Sequence, residues 1–105
     1  MAQGGPVKLP VEPLQASLQA EFALQSGRLD EAAAAYFAAA QASGRDTRLS
    51  ERATRLAILA NERALAEQAL ALWRAQSPHA PGVRASTAAL ALRDGDVASA
   101  QPLLA

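Results

Sequence analysis

Residues 27–40 read GRLDEAAAAYFAAA, in which one glycine stands between two segments with helical spacing of apolar residues. Asp30 and Glu31 fall in the first turn of the second segment, where the positive end of a helix favours acidic side chains. Alanine has the highest intrinsic helix propensity, and glycine readily ends a helix in the left-handed conformation. The stretch therefore predicts a helix that ends at Gly27 and a second helix that begins at about Leu29.

The same pattern returns along the chain at a fixed interval, which separates Gly27 from Asn61 and Asn61 from Gly95. Four sets of residues recur with this period: Gly27, Asn61 and Gly95; Leu29, Arg63 and Val97; Ala32, Ala66 and Ala100; Tyr36, Leu70 and Leu104. A fixed period of about 20–50 residues is typical of proteins built from stacked units of secondary structure. The period predicts three helix pairs, in each of which a glycine or asparagine joins the two helices.

Six helices are predicted, and no strand, because no segment alternates apolar and polar residues over strand length. They run from Pro13 to Gly27, from about Leu29 to Ala42, from an N-cap at Asp46 or Thr47 to Asn61, from about Arg63 to Gln76, from Pro81 or Val83 to Arg93, and from Val97 onward. Residues 1–12 contain glycine and proline without sustained periodicity, which predicts a mobile tail.

The predicted core combines small residues with large ones on the first helix of each pair. Small residues that allow close helix contact recur as Ala20, Thr54 and Ala88 and as Ala23, Ala57 and Ala91. Large residues recur beside them as Phe22, Leu56 and Leu90 and as Leu24, Ile58 and Leu92. We expect the large residues to fill the gaps between helices, although Leu24, Ile58 and Leu92 are equally compatible with the floor of a groove.

The repeating unit, two helices in about 34 residues, resembles the tetratricopeptide repeat. Several positions match the family pattern: the usual alanine is present as Ala32, Ala66 and Ala100, the aromatic residue as Tyr36 and the closing proline as Pro78. The position of the usual first-helix tryptophan is instead occupied by Ala16, Ser50 and Arg84. The resemblance covers residues 13–105 and implies repeats of about 13–46, 47–80 and 81–105. It implies an all-α, right-handed superhelix of three antiparallel helix pairs, the last of them truncated.

Three segments of the sequence are AEFALQSGRLDEAAAAYFAAAQAS (20–43), ERATRLAILAN (51–61) and ALALWRAQSP (69–78). In these segments the chain also resembles one branch of that family, the long proteobacterial scaffold and adaptor proteins. These are often exported lipoproteins, and some serve carboxy-terminal-processing proteases. The resemblance implies a periplasmic or outer-membrane-associated location, while the residues themselves leave the cytoplasm open. No apolar run reaches the roughly 20 residues that span a bilayer, so we expect no direct membrane insertion of this segment.

No motif in the sequence points to catalysis or to a cofactor. Nucleophile elbows, glycine-rich phosphate loops and paired metal-ligand helices are missing, and cysteine is absent. His79 is the only histidine and is predicted to be an exposed turn residue. Ten basic and ten acidic residues cancel, so no overall field attracts nucleic acid. Tyr36, Phe37 and Trp73 have the spacing of core residues rather than of a base-stacking platform.

One surface feature suggests binding. Arg48, Arg52 and Arg55 form a stripe on the third helix, at helical spacing. The resemblance places the first helices on a concave surface that receives a partner peptide, and arginine binds carboxylates in a bidentate manner. The alternative is an ordinary charged face in which Glu51 pairs with Arg48 and Arg55. The predicted partner-binding residues are Ser17, Glu21, Arg48, Glu51, Arg52, Arg55, Leu59 and Arg93.

The predicted function is protein–protein interaction, as a scaffold or adaptor without catalysis, with a partner segment bound on the concave face. Two alternatives stay open: a structural or self-assembly module, and an accessory domain of an enzyme whose catalytic part lies outside this sequence. The sequence stops within an apolar helical pattern, so we also expect self-association through the C-terminal end or fraying from about Val97. The residues expected to lack cover there are Leu90, Leu92, Leu103 and Leu104.

Overall fold

The computed structural model describes residues 13–104, which form six α-helices and no strand. The helices are α1 (Pro13–Gln25), α2 (Leu29–Ser43), α3 (Thr47–Leu59), α4 (Arg63–Gln76), α5 (Pro81–Arg93) and α6 (Val97–Leu104). The predicted all-α class is confirmed, and each helix lies close to its predicted bounds. The predicted tail, residues 1–12, lies outside the described residues.

Three turns, those between α1 and α2, α3 and α4, and α5 and α6, share one backbone geometry. Their central residues have positive φ: 77° at Gly27, 59° at Asn61 and 76° at Gly95. In each turn an N–H group bonds to the carbonyl five residues back: Arg28 to Ala23 at 2.9 Å, Glu62 to Ala57 at 2.9 Å and Asp96 to Ala91 at 2.8 Å. This bond across a left-handed residue is the Schellman motif. The predicted function of Gly27 and Asn61 as helix-ending residues is confirmed.

Each of these short turns reverses the chain, so α1 and α2, α3 and α4, and α5 and α6 pack as antiparallel neighbours. Helix α2 also packs against α3 along much of its length, whereas α4 approaches α5 only over a short stretch. Further contacts join α2 to α4 and α3 to α5. The second helix pair is therefore held between the other two.

Alanine dominates the interior, and its small side chain lets the helices approach closely. The fully buried alanines are Ala20, Ala32, Ala33, Ala39, Ala40, Ala53, Ala57, Ala66, Ala69, Ala88 and Ala100. Tyr36 packs with Ala20, Ala53 and Ala69 in one cluster. A second cluster contains the larger side chains Leu70, Trp73, Val83 and Leu90. The prediction that Tyr36 and Trp73 are core residues is confirmed.

Two expectations about large apolar residues are wrong. Phe22 does not fill a gap between helices but is 67% exposed, whereas Leu90 is 7% exposed and covered by its own cluster. Leu90 is covered because α5 packs on α4, while no described helix precedes α1. At the C-terminal end Leu92 is 44% exposed and Leu103 is half-buried. The side chain of Leu104 lies outside the described residues.

Candidate partner-binding surface

The first arginine of the predicted stripe belongs to the cap of α3. Asp46 is the N-cap, as predicted, and its carboxylate accepts the N–H of Arg48 at 3.0 Å. The Arg48 guanidinium donates to the same carboxylate, with Nε 3.3 Å from Oδ1. This side-chain hydrogen bond, with the backbone bond, holds the pKa of Asp46 below its usual value. The pairing of Arg48 with Glu51 that the sequence suggested is therefore wrong, because the closer acid is at the cap.

The second arginine, Arg52, bridges three helices. Its Nη1 donates to Glu21 of α1 at 3.0 Å and to the Tyr36 hydroxyl of α2 at 3.0 Å. The Tyr36 hydroxyl in turn donates to the Glu21 carboxylate, and the guanidinium lies 5.5 Å from the Tyr36 ring centroid. Burial, followed by the bond to Glu21, raises the pKa of Tyr36, so its hydroxyl stays a donor. Arg52 acts as a brace within the fold.

The third arginine, Arg55, has only a local ion pair on α3. Its Nη2 lies 2.8 Å from Oε2 of Glu51, four residues earlier on the same helix, and both side chains are partly exposed. The predicted pairing of Glu51 with Arg55 is confirmed. An exposed pair of this kind contributes only about 0.3–0.5 kcal/mol. Arg55 is therefore much easier than Arg52 to redirect towards another carboxylate.

The predicted binding residues are spread over separate depressions of the surface. Ser17, Glu21, Arg48 and Arg52 line one of about 320 Å³ between α1 and α3. Arg55 and Leu59 line a second of about 340 Å³ between α3 and α5. Arg93 lies in a third of about 120 Å³, where its Nη1 donates to Oδ1 of Asn61 at 3.2 Å. Glu51 is ion-paired with Arg55, which lines the second depression.

The second of these depressions is the most apolar, and we call it the α3/α5 groove. Its lining residues are Arg55, Ile58, Leu59, Gly82, Ala85, Ser86 and Ala89. Leu59 is 65% exposed, and Ile58 is half-buried. The small residues of α5 were missed by sequence reasoning because Gly, Ala and Ser carry no chemical motif. Their spacing along α5 was the available signal.

Gly82 fixes the approach of α5 to α4 at one end of the α3/α5 groove. A Cβ atom at this position would lie 2.9 Å from Cζ2 of the buried Trp73 ring and 3.4 Å from Nη2 of Arg55. The first distance is too short for carbon atoms, so only glycine fits without displacement of the ring. Pro81, at the first position of α5, leaves no helical N–H unsatisfied there.

A second arginine brace, which sequence reasoning also missed, lies at the other end of α4. Arg63 pairs with Glu67 at 3.0 Å on its own helix and with Asp94 at the end of α5. The two partners lie at very different distances from it in the chain, so only the Glu67 pair has a local sequence signal. Arg63 therefore helps to fix the third helix pair on the second.

Residues 13–104 contain no group of three or more histidine, cysteine, aspartate or glutamate side chains arranged to hold a metal ion. His79 is exposed in the turn before α5, as predicted. Across the same residues, every helix is too short or too polar to cross a membrane.

The chain matches no protein-family model, and no curated protein or solved structure showed significant similarity to it.

Proposed function

We propose that the chain is a protein-interaction module, a scaffold or adaptor, that binds a short segment of a partner protein in the α3/α5 groove. The observation that carries the proposal is the groove itself. Leu59 and Ile58 offer apolar surface, Ala85 and Ala89 leave room beside it, and Arg55 supplies a positive charge. The proposed partner segment has one large apolar side chain and, next to it, a carboxylate. No catalytic step is part of the proposal.

We also infer that the helix pairs are tetratricopeptide-like units of a right-handed superhelix. The inference is supported by the Schellman turns at Gly27, Asn61 and Gly95, which recur once in every period of the sequence. Further support comes from the contacts of first helices with first helices (α3 with α5) and of second with second (α2 with α4). In such an arrangement α1, α3 and α5 line one concave face, and the α3/α5 groove belongs to it.

The charge of the groove determines how binding responds to salt. Arg55 is exposed and paired only within α3. A carboxylate of the partner can therefore replace Glu51 as the ion-pair partner of Arg55, or share Arg55 with it, at little cost. A charge-assisted hydrogen bond of this kind contributes roughly 1.5–3 kcal/mol where it is partly desolvated. Because the site is open, added salt should weaken the electrostatic part and leave the apolar part at Leu59.

The proposal can be tested with random peptides displayed on phage and selected against the full chain. We expect the selected peptides to combine a large apolar residue with an acidic one. Leu59→Asp should weaken their binding at least tenfold, and Arg55→Glu should weaken it and remove most of its salt dependence. Arg45→Glu changes an exposed arginine outside the groove and serves as the matched control. Peptides that bind the Leu59→Asp variant as tightly as the parent would place the site elsewhere.

A further inference from the structure

Helix α1 carries three of the five large apolar residues that are exposed among residues 13–104. Leu14, Leu18 and Phe22 are 71%, 62% and 67% exposed, and they lie four residues apart on one side of the helix. The alanines of α1, among them Ala16 and Ala20, are buried against its neighbours instead. Single exposed apolar residues are ordinary on protein surfaces, but a continuous apolar stripe marks a contact surface. We call these three residues the α1 stripe.

The same side of the later first helices is used for helix packing. Leu18 and Phe22 precede Arg52 and Leu56 of α3 by one period, and a further period leads to Leu90. Arg52 lies over the Tyr36 ring of the preceding helix α2, and Leu90 is buried with residues of α4. The α1 stripe therefore continues the series of surfaces by which α3 and α5 each pack on the helix before them.

We propose that the α1 stripe pairs with the α1 stripe of a second copy of this chain, with the two helices antiparallel. The spacing of the stripe is symmetric about Leu18, since Leu14 and Phe22 lie four residues to either side. A two-fold axis through Leu18 places each Leu18 against its own copy and each Phe22 against Leu14 of the other chain. Such self-complementarity is what an isologous contact requires.

The charges around the stripe fit a second copy rather than a charged partner. The residues between and beside the apolar ones include the neutral Gln15, Gln19 and Gln25. The Arg28 guanidinium lies over the Phe22 ring, 5.9 Å from its centroid, and pairs with Glu31 at 3.2 Å, so these two charges offset each other. Glu21 is occupied by Arg52 and Tyr36. A two-fold contact between such surfaces opposes no net like charge, and depletion of charge is typical of the core of homodimer interfaces.

The surface beside the stripe has room for a side chain of the second copy. A depression of about 470 Å³ lies between α1 and α2, lined by Leu18, Gln19, Phe22, Ala23, Arg28, Glu31 and Ala35. Leu14 of the second copy approaches this depression in the antiparallel arrangement. A stable interface buries about 800 Å² per partner, and one helix of 13 residues offers less. The dimer should therefore be weak, with a dissociation constant in the micromolar range or above.

Sedimentation equilibrium of the full chain tests the proposal over protein concentrations up to about 1 mM. The parent should shift from monomer to dimer within this range. Leu18→Glu and Leu18→Lys each place two like charges at the axis and should weaken association at least tenfold. An equimolar mixture of the two variants should associate again, because opposite charges then meet. Leu18→Ala, which keeps helix propensity, should weaken the dimer without adding charge.

Leu59→Glu is the matched control, because Leu59 is as exposed as Leu18 but lies in the α3/α5 groove. It should leave the dimer intact, and Leu18→Glu should leave peptide binding intact, so this proposal and the proposed function can fail separately. A parent that stays monomeric at the highest concentration would overturn the pairing. So would a dimer that tolerates Leu18→Glu, or a mixture of charge variants that stays monomeric while circular dichroism shows them folded.

Discussion

The junction between α2 and α3 and the junction between α4 and α5 lie one period apart but are built from different residues. Ala39 of α2 corresponds to Trp73 of α4, and Arg48 of α3 corresponds to Gly82 of α5. Where the first junction has a small residue before an exposed arginine, the second has a buried ring that leaves no room for a Cβ atom at Gly82. At the first junction the small residue is on α2 and the large one is on α3, whereas at the second junction the large residue is on α4 and the small one is on α5.

The bonds at the two junctions differ as well. Tyr36, Arg52 and Glu21 form a hydrogen-bonded network at the first, while the residue that corresponds to Tyr36 at the second is the apolar Leu70. Asp46 caps α3 with its side chain, whereas Ala80 at the start of α5 has no side chain that can do so. The comparison teaches that one backbone period can centre on a hydrogen-bonded network at one junction and on a packed ring at the next, where Arg63 and Asp94 add an ion pair at the far end of α4.

The largest effect should come from the ring at the second junction. Trp73→Ala removes a buried side chain that packs with Leu70, Val83 and Leu90, and it leaves a cavity. Such truncations typically lower the free energy of unfolding by about 3–5 kcal/mol. Urea denaturation followed by circular dichroism measures the loss. The comparison of junctions would break if Trp73→Ala cost less than about 1 kcal/mol, since the ring would then not hold the second junction together.

A double-mutant cycle shows whether the ring and Gly82 are matched to each other. Gly82→Ala alone forces an overpacked contact with the ring, for which a cost of about 1–3 kcal/mol is expected. The same change in the Trp73→Ala background should cost nothing, because the ring is gone and alanine has the better helix propensity. Equal costs in both backgrounds would mean that the two residues are not coupled.

The next effect concerns the polar network at the first junction. Tyr36→Phe keeps the packing of the ring but removes the hydroxyl between Arg52 and Glu21, which should cost about 0.5–1.5 kcal/mol at neutral pH. The raised pKa of Tyr36 also predicts a pH dependence. Its contribution is present below the unfolded pKa of about 10 and is lost as the pH rises through the higher folded pKa.

Tyr36 is the only tyrosine, so the ultraviolet absorbance of the phenolate reports this titration directly. In the parent we expect the midpoint above the ordinary value of about 10, and in the unfolded chain at that value. Tyr36→Phe should be free of the corresponding loss of stability at alkaline pH. A midpoint unchanged by folding would contradict the expected direction, because the lowering of the pKa by Arg52 would then offset the effects of burial and Glu21.

The local features of the fold were predictable from sequence, and the long-range ones were not. Helix bounds, the left-handed Gly27 and Asn61, and the Asp46 cap depend on residues close together in the chain, so spacing and propensity suffice. Arg52 bonds to Glu21, 31 residues away, and no local pattern selects that partner. The exposure of Phe22 was not predicted for the same reason, because the burial of this residue depends on whether another helix covers it.

The smallest effect should come from the cap of α3, which has no counterpart at α5. Asp46→Asn keeps a good N-cap and should change the free energy of unfolding at pH 7 by less than about 0.5 kcal/mol. The folded pKa of Asp46 is lowered by Arg48 and by the backbone, so its contribution is present above the unfolded pKa of 3.8 and is lost as the pH falls through the lower folded pKa. The asparagine variant should lack this loss, since its amide does not titrate.

Urea denaturation at a series of pH values from about 7 down to about 2 gives the difference in free energy of unfolding between the two proteins. The other carboxylates contribute equally to both proteins and therefore cancel from this difference. A difference that stays constant through this range would mean that the cap does not distinguish the folded from the unfolded carboxylate, and the first junction would then be no more acid-sensitive than the second.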